Sequence, residues 1–315
     1  MKVIVTGAAG FIGGHIAKTM LKLGHEVLGI DNLSTSGKEF LPILIDLGMK
    51  FEKIDITDEQ GVENVFASFC PDVVFHHAAY AFVAQSFENP DFVKKVNELG
   101  TKIIGLSCSK HKSKLVYAST SAVYGDCKSP QHTSDKASPT SPYANSKLNG
   151  EIIIEKIKQN QGLCAIGLRY FNVYGPYQST AYGSVIPTWF TCAKNKESIK
   201  IFGRKDISRD FTYVDDVVNA NIKAANILKE KNNHHEIFNV GTEKSTSLNL
   251  LSKIIKNICK KYSIDVKIDS NNYPARKGDV YKLLAGDKNI LKNTKTIDIN
   301  EGLEKSSWFY MKEKK

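Results

Sequence analysis

No stretch of this sequence stays apolar for the roughly 18 residues that a membrane-spanning helix requires. None of its six cysteines (Cys70, Cys108, Cys127, Cys164, Cys192 and Cys259) pairs with another at a Cys-x-x-Cys spacing. The first absence argues against a helical membrane protein. The second argues against a redox dithiol or a zinc ribbon, and the thiols read as free, packed groups of a reducing compartment. A cytoplasmic protein is therefore expected. Histidine pairs occur at His76-His77 and His234-His235, but neither sits in a pattern such as HExxH, so no metal site is expected. There is no internal repeat, and the only biased segment is the basic tail MKEKK. The opening MKVIVTGAAGFIGG has a lysine and apolar residues, yet glycines interrupt it and no cleavage pattern follows. It reads as a buried strand entering a loop, not as a leader.

Positive charge is abundant: 43 Lys+Arg against 33 Asp+Glu gives a net charge of +10. Such a surface could attract nucleic acid, an anionic membrane or an acidic small molecule. The lysines are spread along the chain and not clustered, so neither a nucleic-acid nor a membrane partner is expected. A phosphorylated small molecule would need only two or three of these charges. The 315 residues, 42% of them hydrophobic, suffice for one large core or two unequal lobes.

Short apolar runs alternate with helical patterns. Strands are expected at Lys2–Thr6, Glu26–Ile30, Lys50–Lys53, Val73–His76, Lys114–Ser119 and Ala165–Tyr170. Helices are expected at about Ile12 to Leu23, Pro90 to Lys112 and Tyr143 to Gln159. This rhythm predicts an α/β fold, a Rossmann-type doubly wound parallel sheet with helices on both faces. After Phe171 the pattern breaks into short elements, with one more buried strand at Ile237–Val240 and a polar, Lys/Asn-rich part from about Ser245.

Gly7, Gly10 and Gly13 are spaced G-x-x-G-x-x-G between the first strand and the first helix. Glycine there permits a tight turn and close approach of backbone to a pyrophosphate, and the helix N-terminus favours an anion. Asp31 ends the second strand, 18 residues beyond Gly13. A carboxylate at that place accepts hydrogen bonds from ribose hydroxyls and repels a 2′-phosphate, so NAD is favoured over NADP. Asp55, after the third strand, suits adenine or serves as a strand-end cap.

Tyr143 and Lys147 lie one helical turn apart on the same face. A tyrosine with a pKa near 10 is a poor base at neutral pH; a nearby ammonium, together with the charge of an oxidised nicotinamide, would favour its phenolate. Lys147 could also hold the nicotinamide ribose. The run Ser119-Thr120-Ser121-Ala122 directly follows the fifth strand. Ligands of parallel sheets sit at such carboxyl ends, where a hydroxyl can relay a proton, although hydroxyl residues also serve there as caps.

The motifs TGAAGFIGG, DNLSTSG, HHAA, ASTSAVYG, PYANSK, LRYFNVYGP, RDFTYVDD and RKGDV occur in this order. Over about residues 1 to 285 the chain resembles the extended short-chain dehydrogenase/reductase family, in particular its nucleotide-sugar 4-epimerases. The resemblance implies a Rossmann domain over 1–171 that binds NAD and to which 207–241 partly return. A smaller α/β lobe, 172–206 and 242–315, would bind a UDP-sugar. It implies Tyr143 as base, Lys147 as its electrostatic partner and Thr120 as helper hydroxyl. Gly7, Gly10, Phe11, Ile12, Gly13, Asp31, Asn32, Asp55, Ile56, Ala78, Ala79, Asn97, Ser119 and Tyr170 would line the cofactor, with Tyr143 and Lys147. Asn172, Val185, Arg209, Arg276, Asp279 and Leu283 would meet the substrate, the two arginines on its pyrophosphate, where a guanidinium fork matches phosphate oxygens. Each arginine could instead form a surface ion pair. A homodimer through helices near 90–110 and 143–160 is implied too.

Relatives that dehydrate at C4 and C6 carry Thr-Asp-Glu where this chain has Thr120-Ser121-Ala122, and decarboxylases usually place Glu at the position of Ala122. Ser121 and Ala122 supply no acid–base chemistry, which disfavours both reactions. The loop HHAAYAFVAQS departs from the common epimerase versions. A non-catalytic NAD-binding regulator on the same fold is the alternative from another class; the complete Tyr143/Lys147/Thr120 set argues against it.

Overall fold

A computed structural model describes residues 1–35, 39–203, 207–269, 271, 273–275 and 279–312. The predicted Arg276 and parts of the DNLSTSG and RKGDV motifs lie outside the described residues. In chain order the first half runs β1 (Lys2–Thr6), α1 (Phe11–Lys22), β2 (Glu26–Ile30), α2 (Leu41–Asp46), β3 (Lys50–Glu52), α3 (Glu59–Phe69), β4 (Val73–His76), α4 (Val83–Ser86), α5 (Pro90–Lys94), a π-helical turn (Lys95–Leu99), α6 (Gly100–Lys110), β5 (Lys114–Thr120) and α7 (Pro142–Gln161). The second half runs β6 (Ala165–Tyr170), β7 (Asn172–Tyr174), α8 (Val185–Lys194), β8 (Ser208–Arg209), β9 (Phe211–Tyr213), α9 (Val214–Lys229), β10 (His235–Val240), β11 (Thr246–Ser247), α10 (Leu248–Lys261), β12 (Lys282–Leu283) and α11 (Ile299–Met311).

Seven parallel strands form the central sheet in the order β3-β2-β1-β4-β5-β6-β10. The chain winds outward from β1 to β3, then returns to lay β4 against the other side of β1. Their carboxyl ends therefore flank the switch point where open α/β sheets bind ligands. Side chains alternate across each strand. Val3 and Val5 pack with Ile16 and Met20 of α1 and Val217 and Ala224 of α9 on one face. Ile4 packs with Phe66 of α3, Ile104 of α6 and Ile154 of α7 on the other. A third cluster joins Trp189 and Phe190 of α8 to Leu251 and Ile255 of α10 and Leu303 of α11.

Three stretches differ from the pattern read in the sequence. The helix expected from Pro90 to Lys112 is continuous in direction but widens into a π-turn at Lys95–Leu99, with the buried Asn97 in the widened turn; such bulges mark sites where a side chain needs re-aiming. Where only short elements were expected, α9 runs for 16 residues and covers one sheet face. In the polar C-terminal part, α10 buries Leu251, Ile254, Ile255 and Ile258 along one stripe, so its lysines conceal an amphipathic helix. Among the described residues, no helix is long and apolar enough to cross a membrane.

Candidate active site

Two cavities, of about 290 and about 440 Å³, open at the carboxyl ends of the central strands. Both are walled by Ile12, Ser119, Tyr143 and Tyr170. Gly7, with φ +68°, makes the turn into the first cavity; a Cβ on it would stand 2.7 Å from the Ala78 nitrogen. A Cβ on Gly13 would stand 2.2 Å from the Gly7 carbonyl oxygen. No side chain fits at either place. Gly10 precedes α1 and offers no side-chain cap, so the first-turn N–H groups face the cavity that Gly10, Phe11, Ile12 and Gly13 line.

Asp31 and Asn32, at the end of β2, and Asp55 and Ile56, beyond β3, wall the same cavity. The Asp31 carboxylate accepts from the N–H groups of Ala9 (3.1 Å) and Leu33 (2.8 Å). Asp55 accepts from the Thr57 N–H and hydroxyl (2.9 and 2.7 Å) and from the Asn32 amide (2.8 Å). Burial pushes the Asp55 carboxyl up, and these three donors together outweigh it, so it lies below the usual range. Ala78, Ala79, Ser119, Tyr170 and Lys147 complete the wall. These features fit a dinucleotide: a side-chain-free cradle at a helix N-terminus, then an acidic group one strand over.

Asn97 departs from the expected set. Its amide oxygen accepts from the Tyr80 N–H (2.8 Å), and its nitrogen donates to the Tyr80 carbonyl (3.1 Å) and to Ser146 (2.9 Å). It ties the loop after β4 to α7 and does not form part of the cavity wall. The π-turn brings it there.

Ser141 caps α7 by accepting from the Ala144 N–H at 3.1 Å, and Pro142 begins the helix. This sets Tyr143 and Lys147 in the first two turns, facing the cavities. Thr120, at the end of β5, accepts from the Ala122 N–H at 3.2 Å and is hydrogen-bonded to Tyr143. Burial drives the Tyr143 phenol upward, and the Thr120 hydroxyl opposes the rise. Burial likewise pulls Lys147 down to about 8, with the Glu151 charge opposing. The phenolate that the sequence pattern suggests is thus resisted by the site's own dryness.

The second cavity is walled by Thr120, Ser121, Ala122, Asn172, Val185, Arg209, Asp279 and Leu283. The Asn172 amide oxygen is buried and has no hydrogen-bond partner among the described residues, a costly state unless a ligand donates to it. Arg209 donates to the carbonyls of Ser208 (2.9 Å) and Tyr281 (3.1 Å) and pairs with Asp279 at 3.4 Å. Leu283 belongs to an apolar cluster with Val123, Tyr124, Phe171, Val280 and Ala285 and also lines the cavity.

Several cavity residues had no role assigned from sequence. His77 sits beside Ala78 in the HHAA motif, and its Nε2 lies 2.8 Å from the Tyr170 hydroxyl, which also accepts from Asn221 at 2.8 Å. Gln178 and Tyr182 reach the cavity from the segment after β7. Glu151, which lines neither cavity, follows Lys147 at the next i+4 position, a spacing that could have flagged it.

Residues 3–241 match the family model described as "NAD dependent epimerase/dehydratase family". The chain is 33% identical to the UDP-glucuronate 4-epimerase of Thermodesulfobacterium geofontis, covering 96% of this chain and 94% of that protein. It is similar to the crystal structure of the Thermotoga maritima UDP-glucose 4-epimerase with UDP-glucose (TM-score 0.87, 32% identity, 98% of each chain). It is also similar to the UDP-N-acetylglucosamine 4-epimerase of Methanobrevibacter ruminantium in complex with UDP-N-acetylmuramic acid (TM-score 0.88, 32% identity, 98% of each chain).

Proposed function

We propose, on the premise that this chain belongs to the NAD dependent epimerase/dehydratase family, that it is an isomerase inverting C4 of a UDP-hexose. It is an NAD-dependent sugar-nucleotide enzyme by family; the reaction and sugar are our reading. One observation carries it: Tyr143 borders both cavities and is bonded to Thr120. A sugar carbon at that junction meets a cofactor on one side and a proton acceptor on the other.

We assign NAD to residues 1–171 with 207–241, and the sugar nucleotide to 172–206 and 242–315. Gly7, Gly10, Phe11, Ile12 and Gly13 would hold the pyrophosphate, Asp31 and Asn32 the adenosine ribose, and Asp55 and Ile56 the adenine. Ala78, Ala79, Ser119, Lys147 and Tyr170 would surround the nicotinamide end. When bound, NAD+ would supply a hydride acceptor for C4 of the sugar and, once reduced, the donor that returns hydride to the opposite face, so that no net oxidation would accumulate.

Tyr143 removes the proton of the C4 hydroxyl and later restores it. Thr120 orients that hydroxyl and passes the proton. Lys147 offsets the phenolate charge in a dry site where the interaction is strong. Arg209, with Arg276 as its intended partner, would grip the diphosphate, leaving the sugar ring able to turn. The unpartnered Asn172 oxygen supports a ligand donor at that point.

Sugar choice is read from Leu283: leucine narrows the pocket less than tyrosine would, so plain and N-acetylated UDP-hexoses should both enter. The cavity wall at Ser121 and Ala122 has no acid for dehydration or for decarboxylation. A homodimer is supported by exposed apolar side chains on the helices after β4 and on α7, Phe92 (43%), Leu99 (40%) and Ile152 (46%). The cytoplasm is the proposed location. The test is incubation with UDP-glucose, UDP-galactose, their N-acetyl forms and UDP-glucuronate, with separation of products. Epimer formation without accumulation of reduced cofactor supports the reading; no epimer from any of them overturns it.

A further inference from the structure

Beneath the reacting hydroxyls lies a buried ion pair with no role in the scheme above. Glu151, on α7, and Arg169, on β6, are each 6% exposed. Arg169 donates Nε–H to Glu151 Oε1 at 2.9 Å and Nη2–H to Oε2 at 2.7 Å, a two-pronged charge-assisted bond. The guanidinium lies 4.9 Å from the centre of the Tyr124 ring. Ser119 also donates its hydroxyl hydrogen to Glu151 Oε1, at 2.5 Å.

An ionised carboxylate only accepts, and a serine has one hydroxyl hydrogen. Ser119 therefore commits its proton to Glu151 and presents lone pairs to the two cavities that it lines. Thr120 is arranged differently. Its oxygen accepts from the Ala122 N–H, and its hydroxyl is hydrogen-bonded to Tyr143 and not to a carboxylate. Adjacent residues at one strand end thus differ: the proton of Ser119 is committed to Glu151, while the hydroxyl of Thr120 is shared with Tyr143.

We propose that Glu151, braced by Arg169, is a positioning residue of this site: it fixes Ser119 as an acceptor toward the cavities and holds the Lys147 ammonium against Tyr143. The proposal rests on the roles given above to Tyr143 and Lys147. Lys147 is faced by Glu151 from its own helix and by His76 and His77 from the end of β4, and it shares a cavity wall with Tyr143. Ser119 of β5 and Tyr170 of β6 share its cavity wall. Both histidines are kept neutral by burial, and Glu151 is the one carboxyl group among those named. A clamp between α7 and β6 would need neither the Ser119 bond nor the i+4 placement. Buried ion pairs are in any case poor sources of net stability, because desolvation offsets their attraction.

The test compares wild type, Glu151→Gln, Ser119→Ala and the double variant, each shown folded by its thermal midpoint. One readout is independent of turnover: the titration of the Lys147 amine, followed by NMR of protein labelled at the lysine ε-carbons and assigned by comparison with Lys147→Met. With the carboxylate neutralised, Lys147 loses its proton earlier and should titrate about 1 pH unit lower in Glu151→Gln. In turnover, each single variant should lower kcat about tenfold with KM little changed, and the double should be no worse than the worse single. The alkaline limb of the Glu151→Gln profile should move down by about 1 pH unit. An unmoved Lys147 titration with unmoved kcat and pH profile, at a lower thermal midpoint, overturns the proposal and leaves a clamp. If Glu151→Gln does not fold, Ser119→Ala leaves the ion pair intact, and wild-type kcat in that variant overturns the proposal. A wild type that turns over no sugar nucleotide defeats the assigned reaction, while the Lys147 titration still tests Glu151.

Discussion

The Asp31 carboxylate accepts the backbone N–H of Ala9 at 3.1 Å. The acidic group at the end of β2 therefore also anchors the glycine loop. An incoming ribose meets a carboxylate already held in place, and part of the cost of ordering it is met by the fold.

Purified protein should accordingly retain NAD and not NADP. Asp31→Ala should weaken NAD binding by about 1–3 kcal/mol, the scale of losing charged hydrogen bonds. Calorimetric titration with both nucleotides checks this; NADP in the extract of the denatured wild type would contradict it.

Tyr143→Phe should keep the fold and the bound nucleotide while turnover falls about 10² to 10⁴-fold, the usual share of a general acid–base group. Thr120→Ala should be slower than wild type yet measurable, since that hydroxyl orients and relays. Steady-state rates on the best sugar nucleotide decide. A Tyr143→Phe protein near the wild-type rate would require another base.

Acid should destabilise the protein through His76 and His77. His76 is buried, its Nδ1 lies 2.7 Å from the Thr6 hydroxyl and its Nε2 lies 3.1 Å from that of Thr101. Burial holds its pKa well below normal and pulls His77 down to about 3. Below about pH 6.5 the unfolded chain gains protons there that the folded one refuses, so stability present above that pH is lost as pH falls toward 3. Thermal midpoints measured from pH 7.5 to 4.5 should fall, and fall less steeply in His77→Gln. Parallel curves for the two proteins would remove His77 from the account.

Leu283→Tyr should depress turnover of N-acetylated UDP-hexoses more than of the plain pair. A steric mismatch of that size changes the ratio by about 10- to 100-fold. Leu283 also packs against Val280 and Phe171, so equal losses on both pairs would mean that its part is in the core and not in sugar choice.

The sequence by itself determined the features that are local or periodic. The glycine turn, the strands from Lys2, Glu26, Val73 and Ala165, and the Tyr143–Lys147 spacing each depend on residues a few positions apart, where backbone geometry alone dictates the pattern. Composition misled where a helix has a narrow buried stripe under a charged surface, as in α10, and where α9 follows directly on β9. Only the tertiary structure decided which polar groups are already satisfied. Asn97 spends its amide on Tyr80 and Ser146, His77 finds Tyr170 from 93 residues away, and Tyr124 donates to Asn239 across 115. The commitment of the Ser119 proton likewise depends on Glu151 and Arg169, which β6 and α7 bring together. A hydrogen bond is directional and can join any two parts of the chain, so no periodicity records it; only the packed sheet and its helices bring the partners within reach.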